Sequence, residues 1–378
     1  MYRDHSVGVV VPAYNEEGLV GEVITGMPAY VDRIYVVDDC STDGTWEEVL
    51  STAQADAEYG DVPEEIVPDV GRERLEAEIR TNGGQASGER EHRTDGGISR
   101  QEALLVERAV VTEPVGRVLP IKHVENLGAG GAIKTGYLAA LIDKMDITVT
   151  VDGDGQMDLS EMTRLLDPIV EGTADYAKGN RLLYKEFREE MPTFRFFGNS
   201  ILTFLTKIAS GYWKTMDPQN GYTAISYRAL DNVGIEGMYE YYGYCNDLLV
   251  KLNAKGMRVA DVAMPAIYGE EASSISYFEY IRKVSRMLLW NFLWRLKTRY
   301  LVLDFHPLAL FYYFGAGMST VGVLGGIWTV YAYFAFGSSL FVRGSMSLMI
   351  FTMGSMFLMF AMLFDMQANE SREVQIRD

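Results

Sequence analysis

The chain has little cysteine, a shortage of positive charge and no glycine-rich phosphate loop, and each lack removes a class of function. Cys40 and Cys245 are its two cysteines, and neither has a CxxC neighbour, which argues against thiol redox work and thiolate metal sites. Lys and Arg number 34 against 52 Asp and Glu, for a net charge of −18. A surface of that sign lacks the basic footprint that a phosphate backbone requires, so nucleic acid is not an expected partner. It suits solubility in a salt-rich cytosol. The first apolar run ends in Val11-Pro12-Ala13-Tyr14-Asn15-Glu16-Glu17 without a GxGxxG turn, and Gly128-Ala129-Gly130-Gly131-Ala132 lacks that spacing as well. A dinucleotide-binding Rossmann turn and a P-loop are both excluded. Met1–His5 is polar and Val7–Val11 is too short for a signal peptide, so the N-terminal domain is expected to stay on the side where it is made.

What is present is an α/β alternation followed by a membrane segment. Val7–Val11 and Arg33–Val37 read as buried parallel strands with a helix between them beginning near Glu16. Residues 56–113 break the rhythm, being rich in Glu, Arg and Gly, and read as a charged, partly disordered insertion with short helical stretches at Arg72–Arg80 and Gln101–Val111. The insertion is either a docking arm or a solvated, dispensable loop. The alternation resumes with strand Val118–Val124, a helix through Leu141, strand Ile147–Val151 and a helix from Ser160 to about Glu171. Pro307–Val342 and Gly344–Phe364 carry no charged residue, and the second run spans about 31 Å as a helix, the thickness of a hydrocarbon core. Arg282, Lys283, Arg286, Arg295, Lys297 and Arg299 precede the first span, so the α/β domain and C-terminus are expected in the cytosol. Leu288, Leu289, Trp290, Phe292, Leu293 and Trp294 lie among these basic residues, a mixture suited to helices in the headgroup region. The expected division is a domain at 1–275, interfacial amphipathic helices at 276–304, a transmembrane hairpin at 305–366 and a polar tail at 367–378.

Chemistry concentrates at strand ends. Thr148-Val149-Thr150-Val151 runs into Asp152-Gly153-Asp154-Gly155-Gln156, two carboxylates and a carboxamide beyond the carboxyl end of a strand, where open α/β sheets bind ligands. Hard cations such as Mg²⁺ or Mn²⁺ take oxygen ligands of this kind together with substrate phosphates. Pro12-Ala13-Tyr14 offers a shelf on which a base can stack, or is an ordinary strand-to-helix turn capped by Asn15. Asp38-Asp39 can accept hydrogen bonds from a base or a ribose. Asp217, Gln219 and Asn220 read either as sugar-hydroxyl readers or as a hydrogen-bonded turn around Pro218, and Ser273 and Ser274 either close over an acceptor phosphate or cap the next helix.

With these motifs in order, the chain resembles the family 2 glycosyltransferases of GT-A fold, in particular the dolichyl- or polyprenyl-phosphate sugar synthases such as the dolichol-phosphate mannose synthases. The matching stretches are Pro12–Glu17, Asp38–Thr45, Asn126–Tyr137, Asp152–Gln156, Gly179–Arg181, Asp217–Tyr222 and Tyr268–Ile275. The resemblance implies a GT-A nucleotide-sugar-binding domain with a mostly parallel sheet, with Pro12, Ala13, Tyr14, Glu16 and Asp39 at the nucleoside. It implies Asp152, Asp154 and Gln156 at the metal and diphosphate, and Arg181 and Arg195 near the phosphates. The chain departs from the pattern at Cys40, where the family usually has glycine, and at Asn246-Asp247, where an acidic residue is expected just before Leu248.

The expected activity is inverting, metal-dependent transfer of a hexose from a nucleoside-diphosphate sugar to dolichyl or polyprenyl phosphate. Asp152, Asp154 and Arg181 are the expected catalytic residues, in an integral cell-membrane protein whose catalytic domain is cytoplasmic. UDP-hexose is the first expectation for the donor, because the two-span hairpin and the Tyr-Gly-Glu-Glu-x-Ser-Ser run resemble glucosyl-type more than mannosyl-type relatives, with GDP-mannose as the other. A transferase acting on another lipid or a lipid-linked oligosaccharide, and a non-catalytic membrane scaffold, are the rival readings.

Overall fold

A computed structural model describes residues 1–59, 99–182, 193–265 and 277–377. The expected helix at Arg72–Arg80 and the residues Ser273 and Ser274 lie outside the described residues. Strand β1 (Val7–Ala13) and strand β2 (Arg33–Asp38) are apolar on both faces, and Val7, Val9, Val10, Val11, Ile34, Val36 and Val37 are fully buried. Such runs belong in the middle of a parallel sheet covered on both sides. The intervening helix α1 (Val20–Thr25) starts four residues later than its pattern suggests, because Asn15 (φ 57°) and Gly18 (φ 87°) hold the preceding loop in left-handed backbone.

Helix α2 (Thr45–Tyr59) follows, then helix α3 (Arg100–Arg108), strand β3 (Ala109–Val111), strand β4 (Val118–His123), helix α4 (Ala129–Ile142) and strand β5 (Ile147–Thr150). Helix α5 (Met162–Val170), strand β6 (Tyr176–Asn180), helix α6 (Thr193–Ser210), strand β7 (Thr223–Ser226), helix α7 (Tyr227–Asn232), helix α8 (Tyr244–Ala254) and strand β8 (Val259–Ala263) complete the part before the membrane segment. With strand β9 (Glu373–Ile376) from the end of the chain, the strands form a nine-stranded sheet in the order β3-β4-β2-β1-β5-β7-β6-β8-β9. Strands β4, β2, β1 and β5 run parallel, with Asp38 beside both Ala13 and Lys122, so their carboxyl ends form one continuous rim.

Both ends of the charged insertion are structured. Asp56 lies on α2 and pairs with Arg117 (2.8 Å), while Ser99 closes a capping box on α3 and β3 pairs antiparallel with β4. The expected insertion boundaries at 56 and 113 are therefore too wide: tertiary pairing fixes residues whose local composition reads as loop.

After helix α9 (Tyr277–Lys297) and a π-helical turn (Thr298–Leu303), helices α10 (Leu308–Phe336) and α11 (Leu340–Asn369) form an antiparallel pair. Both are long and apolar enough to cross a membrane. Small residues let them approach closely: a Cβ on Gly322 would lie 2.6 Å from the Phe351 nitrogen. The segment read as a polar tail continues the last helix to Asn369 and then enters the sheet. Strand β9 (Glu373–Ile376) pairs parallel with β8, and the Glu373 carboxylate accepts hydrogen bonds from the backbone of Trp213, Lys214 and Thr215 (2.8, 2.7 and 2.9 Å). A buried ion pair, Arg295–Asp365 (2.7 Å), ties α9 to α11 where the hairpin meets the domain.

Candidate active site

Asp152 and Asp154 follow β5 on the sheet's rim, in a loop pressed against β1. A Cβ on Gly153 would lie 2.8 Å from the Pro12 carbonyl oxygen, so only glycine lets the two strand ends meet there. Burial pushes the Asp152 carboxyl up to about 7, the neighbouring Asp154 adds to the rise, and Arg181 opposes it. Among the described residues no donor reaches the Asp152 carboxylate, whereas Asp154 Oδ1 accepts from the Gln156 nitrogen (3.0 Å). Two hard oxygen donors at a half-buried point, one raised by its like-charged neighbour, are chemically suited to a divalent cation. No group of three acidic, His or Cys side chains that would hold a metal by itself occurs among the described residues.

Arg181, one residue past β6, is clamped by Asp217: its Nε donates to Oδ2 (2.7 Å) and its Nη2 to Oδ1 (3.0 Å), a bidentate pair. Asp217 is fully buried and adopts φ 46°, left-handed backbone that carries strain in a non-glycine residue. Burial pushes its carboxyl up, but the Arg181 guanidinium outweighs that and holds it below the usual carboxylate range. Both oxygens of Asp217, read as either a sugar-hydroxyl reader or part of the turn around Pro218, accept from Arg181. Asn220 serves the turn around Pro218, its nitrogen bonding the Asp217 carbonyl (3.1 Å) and its Oδ1 accepting from the Tyr222 nitrogen (3.0 Å). The Gln219 carboxamide is buried with neither its oxygen nor its nitrogen partnered among the described residues. Arg195 falls on the first turn of α6, and its side chain is outside what is described.

At the other end of the rim, the Asn15–Gly18 loop is laced to the Ser41–Gly44 loop. The Asn15 nitrogen donates to Ser41 Oγ (3.0 Å), the Thr42 nitrogen to Asn15 Oδ1 (2.8 Å) and the Glu16 nitrogen to Thr45 Oγ1 (2.8 Å). Tyr14 stays half exposed beside Pro12 and Ala13. Cys40 adopts φ 67°, which accounts for the glycine usual at that position in the family it resembles. The Asp39 carboxylate accepts from the Leu127 and Gly128 nitrogens (both 2.8 Å) and contacts His123 Nδ1 (2.6 Å). His123 escaped the sequence reading, although a polar residue ending an apolar strand beside Asp38-Asp39 was a usable signal.

Asp247, the residue nearest the expected acidic position, is also committed. Its Oδ2 accepts from the Tyr239 nitrogen (2.9 Å) and its Oδ1 from Asn291 Nδ2 of α9 (2.7 Å), so it ties α8 to α9. Beyond it, α9 packs on α6 and α8 and leaves Leu289, Trp290, Leu293 and Trp294 exposed, with Ile201 and Phe204 exposed on α6.

The parallel rim carrying a carboxylate pair at β5, within a mixed sheet, defines a GT-A type glycosyltransferase. A sequence profile described as "Glycosyl transferase family 2" matches residues 8–62 and 108–234, leaving out most of the insertion, so the chain carries a glycosyltransferase family 2 domain. The chain is 26% identical over 268 residues to the UDP-N-acetylglucosamine–dolichyl-phosphate N-acetylglucosaminyltransferase of Methanococcus voltae, covering 71% of this chain and 88% of the relative. It is 26% identical over 267 residues to an uncharacterized protein of Methanocaldococcus jannaschii, covering 70% and 83%. Among solved structures it is similar to the glucosyl-3-phosphoglycerate synthase of Mycobacterium tuberculosis in complex with UDP, at 18% identity, a TM-score of 0.45 and coverage of 77% and 80%. It is also similar to a mannosyltransferase of Pyrobaculum calidifontis in complex with GDP-Man and Mn²⁺, at 15% identity, a TM-score of 0.39 and coverage of 96% and 87%.

Proposed function

We propose that this glycosyltransferase moves a hexose from a nucleoside-diphosphate sugar, UDP-hexose in the first instance, to dolichyl or polyprenyl phosphate at the cytosolic face of a membrane. The observation that carries the reading is the placement of the carboxylate pair in a domain built on both sides of an apolar hairpin. Because β9 rejoins the sheet after α11, both ends of the hairpin share one side with the site. The relative from Methanococcus voltae, named for transfer to dolichyl phosphate, supports the acceptor class.

Pro12, Ala13, Tyr14, Glu16 and Asp39 bind the nucleoside in this reading, Tyr14 offering a face to the base. Asp152, Asp154 and Gln156 would hold Mg²⁺ or Mn²⁺ where the diphosphate binds. When bound, the cation supplies Lewis-acid neutralisation of the leaving group's charge. Arg181, oriented by Asp217, contributes a fixed positive charge beside Asp152 and so lowers the barrier to departure of the diphosphate. A phosphate monoester, with its second pKa near 6, is already largely ionised at neutral pH, so the acceptor oxygen needs no strong general base. The engagement of Asp247 in packing fits that requirement. One in-line displacement inverts the anomeric centre. Arg195, Gln219, Asn220, Ser273 and Ser274 remain the proposed contacts for sugar and acceptor phosphate. The exposed tryptophans and leucines of α9 sit at headgroup level and bring the mouth of the site to the lipid phosphate.

Reconstituted protein is to be incubated with polyprenyl phosphate and, separately, labelled UDP-glucose, UDP-N-acetylglucosamine and GDP-mannose. A labelled polyprenyl-phosphate sugar supports the proposal and identifies the donor. Label that enters only other lipids, or none, overturns the acceptor.

A further inference from the structure

Arg108, Thr135, His123 and Asp39 form one largely buried hydrogen-bonded chain that begins at the end of α3 and ends at the nucleoside side of the rim. Arg108 is the last residue of α3. Its Nε donates to Thr135 Oγ1 (3.3 Å) and its Nη1 to Glu240 Oε1 (2.8 Å). Thr135, in the second turn of α4, contacts His123 Nε2 (2.8 Å) and donates to the Gly131 carbonyl (3.0 Å). His123 reaches Asp39 through its other ring nitrogen (2.6 Å). Backbone pairing reinforces the chain, since Ala109 lies opposite His123 between β3 and β4 and the Val124 nitrogen donates to the Arg108 carbonyl (3.2 Å).

The far end of the chain is the part that matters for ligand binding. Asp39 holds the loop after β4 from three directions: its carboxylate takes the Leu127 and Gly128 nitrogens, and its carbonyl takes Asn126 Nδ2 (3.0 Å). Gly128 adopts φ 78°, and a Cβ there would lie 3.1 Å from the Glu240 carbonyl oxygen. The Glu240 side chain, shared by Arg108 and Lys134 (2.8 Å each), fixes the segment against which that loop rests. A carboxylate with several fixed donors has one orientation, and preorganisation of this kind is what makes a polar group useful in recognition.

We propose that Arg108, Thr135 and His123 are positioning residues for nucleotide binding. They set the orientation of Asp39 and of the Asn126–Gly128 loop, and α3, which follows the insertion, belongs functionally to the nucleotide site. The inference rests on the assignment of Asp39 to the nucleoside made above. It predicts a change in donor affinity, not in the chemical step.

The test uses the full chain in detergent with Mg²⁺ present, and measures UDP and GDP binding by calorimetry alongside kcat and KM for transfer. Arg108→Gln and Thr135→Val weaken binding of the preferred nucleoside diphosphate by about tenfold, the effect of losing a hydrogen bond to a charged or buried partner. KM for the donor rises in parallel, kcat stays within about twofold, and Thr135→Ser restores binding. Arg108 lies at the partly exposed end of the chain, so Arg108→Gln decides the matter should Thr135→Val fail to fold. Folded variants with unaltered affinity, or a fall in kcat at constant KM, overturn the inference. Wild-type protein that binds neither nucleotide overturns the functional reading instead, which separates the two failures.

Discussion

Asp217→Asn separates charge from shape in the Arg181 clamp. Asn tolerates the left-handed backbone at φ 46° as well as Asp does, so backbone strain is retained while the charge is lost. Two unit charges about 3 Å apart attract by roughly 5 kcal/mol at an effective dielectric of 20, and truncating one partner of a buried pair costs about 3–5 kcal/mol. Arg181 keeps 28% of its side chain exposed and so recovers part of its hydration. The net loss is then about 2 kcal/mol. The sign with pH follows from the Asp217 carboxyl, which Arg181 holds below its ordinary 3.8 despite the opposing effect of burial. A depressed carboxyl stabilises the fold above its unfolded value and loses that contribution as pH falls through the folded value. The deficit of Asp217→Asn is therefore complete at neutral pH and shrinks as pH falls below the ordinary 3.8. Thermal melts of the purified protein from pH 3 to 8 measure it, and initial rates measure the consequence for transfer. A guanidinium displaced by about 1 Å lowers kcat by roughly a hundredfold. A deficit below about 0.5 kcal/mol at pH 7 with kcat intact would refute the reasoning, as would a deficit that grows on acidification.

Asp152 has the opposite sign: its carboxyl, pushed up to about 7 chiefly by burial, destabilises the metal-free fold as pH rises from about 4 to 7. Asp152→Asn in chelator should melt about 3 °C higher than wild type at pH 8 and equally at pH 4, with transfer abolished; a lower midpoint at pH 8 contradicts this. Cys40→Gly relieves a left-handed cysteine and should stabilise the protein by about 0.5–1 kcal/mol in a denaturation titration. Glu373→Gln weakens the three backbone bonds that hold β9 and should cost about 1–3 kcal/mol, with faster proteolysis after Arg372 as the readout. Joining residue 59 to residue 99 by a short flexible linker should preserve transfer, whereas deleting 56–113 removes α3, β3 and the Asp56–Arg117 pair and should abolish expression of folded protein.

Much of the frame was readable from short windows. Apolar runs at Val7–Val11, Arg33–Val37, Val118–Val124 and Ile147–Val151 lie within a residue or two of β1, β2, β4 and β5, because a strand buried on both faces needs continuous apolar residues. The charge-free runs after Pro307 become α10 and α11 for a similarly local reason. Asp152 and Asp154 were legible because a strand's end and its following residues are adjacent in sequence as well as in space.

The amino-acid sequence alone determined the alternation of strands and helices, the apolar hairpin and the acidic pair, all of them properties of neighbouring residues. Tertiary structure decided which remote groups meet. Asp217 lies 36 residues from Arg181 and Asp39 lies 84 from His123, and nothing in either neighbourhood specifies those partners. Residues 373–376 look like a polar tail in isolation and become β9 only because β8 presents an unpaired edge beside the returning hairpin. Hydrophobic periodicity is written into every few residues, whereas the pairing of distant polar groups appears only once the sheet has brought their backbones together.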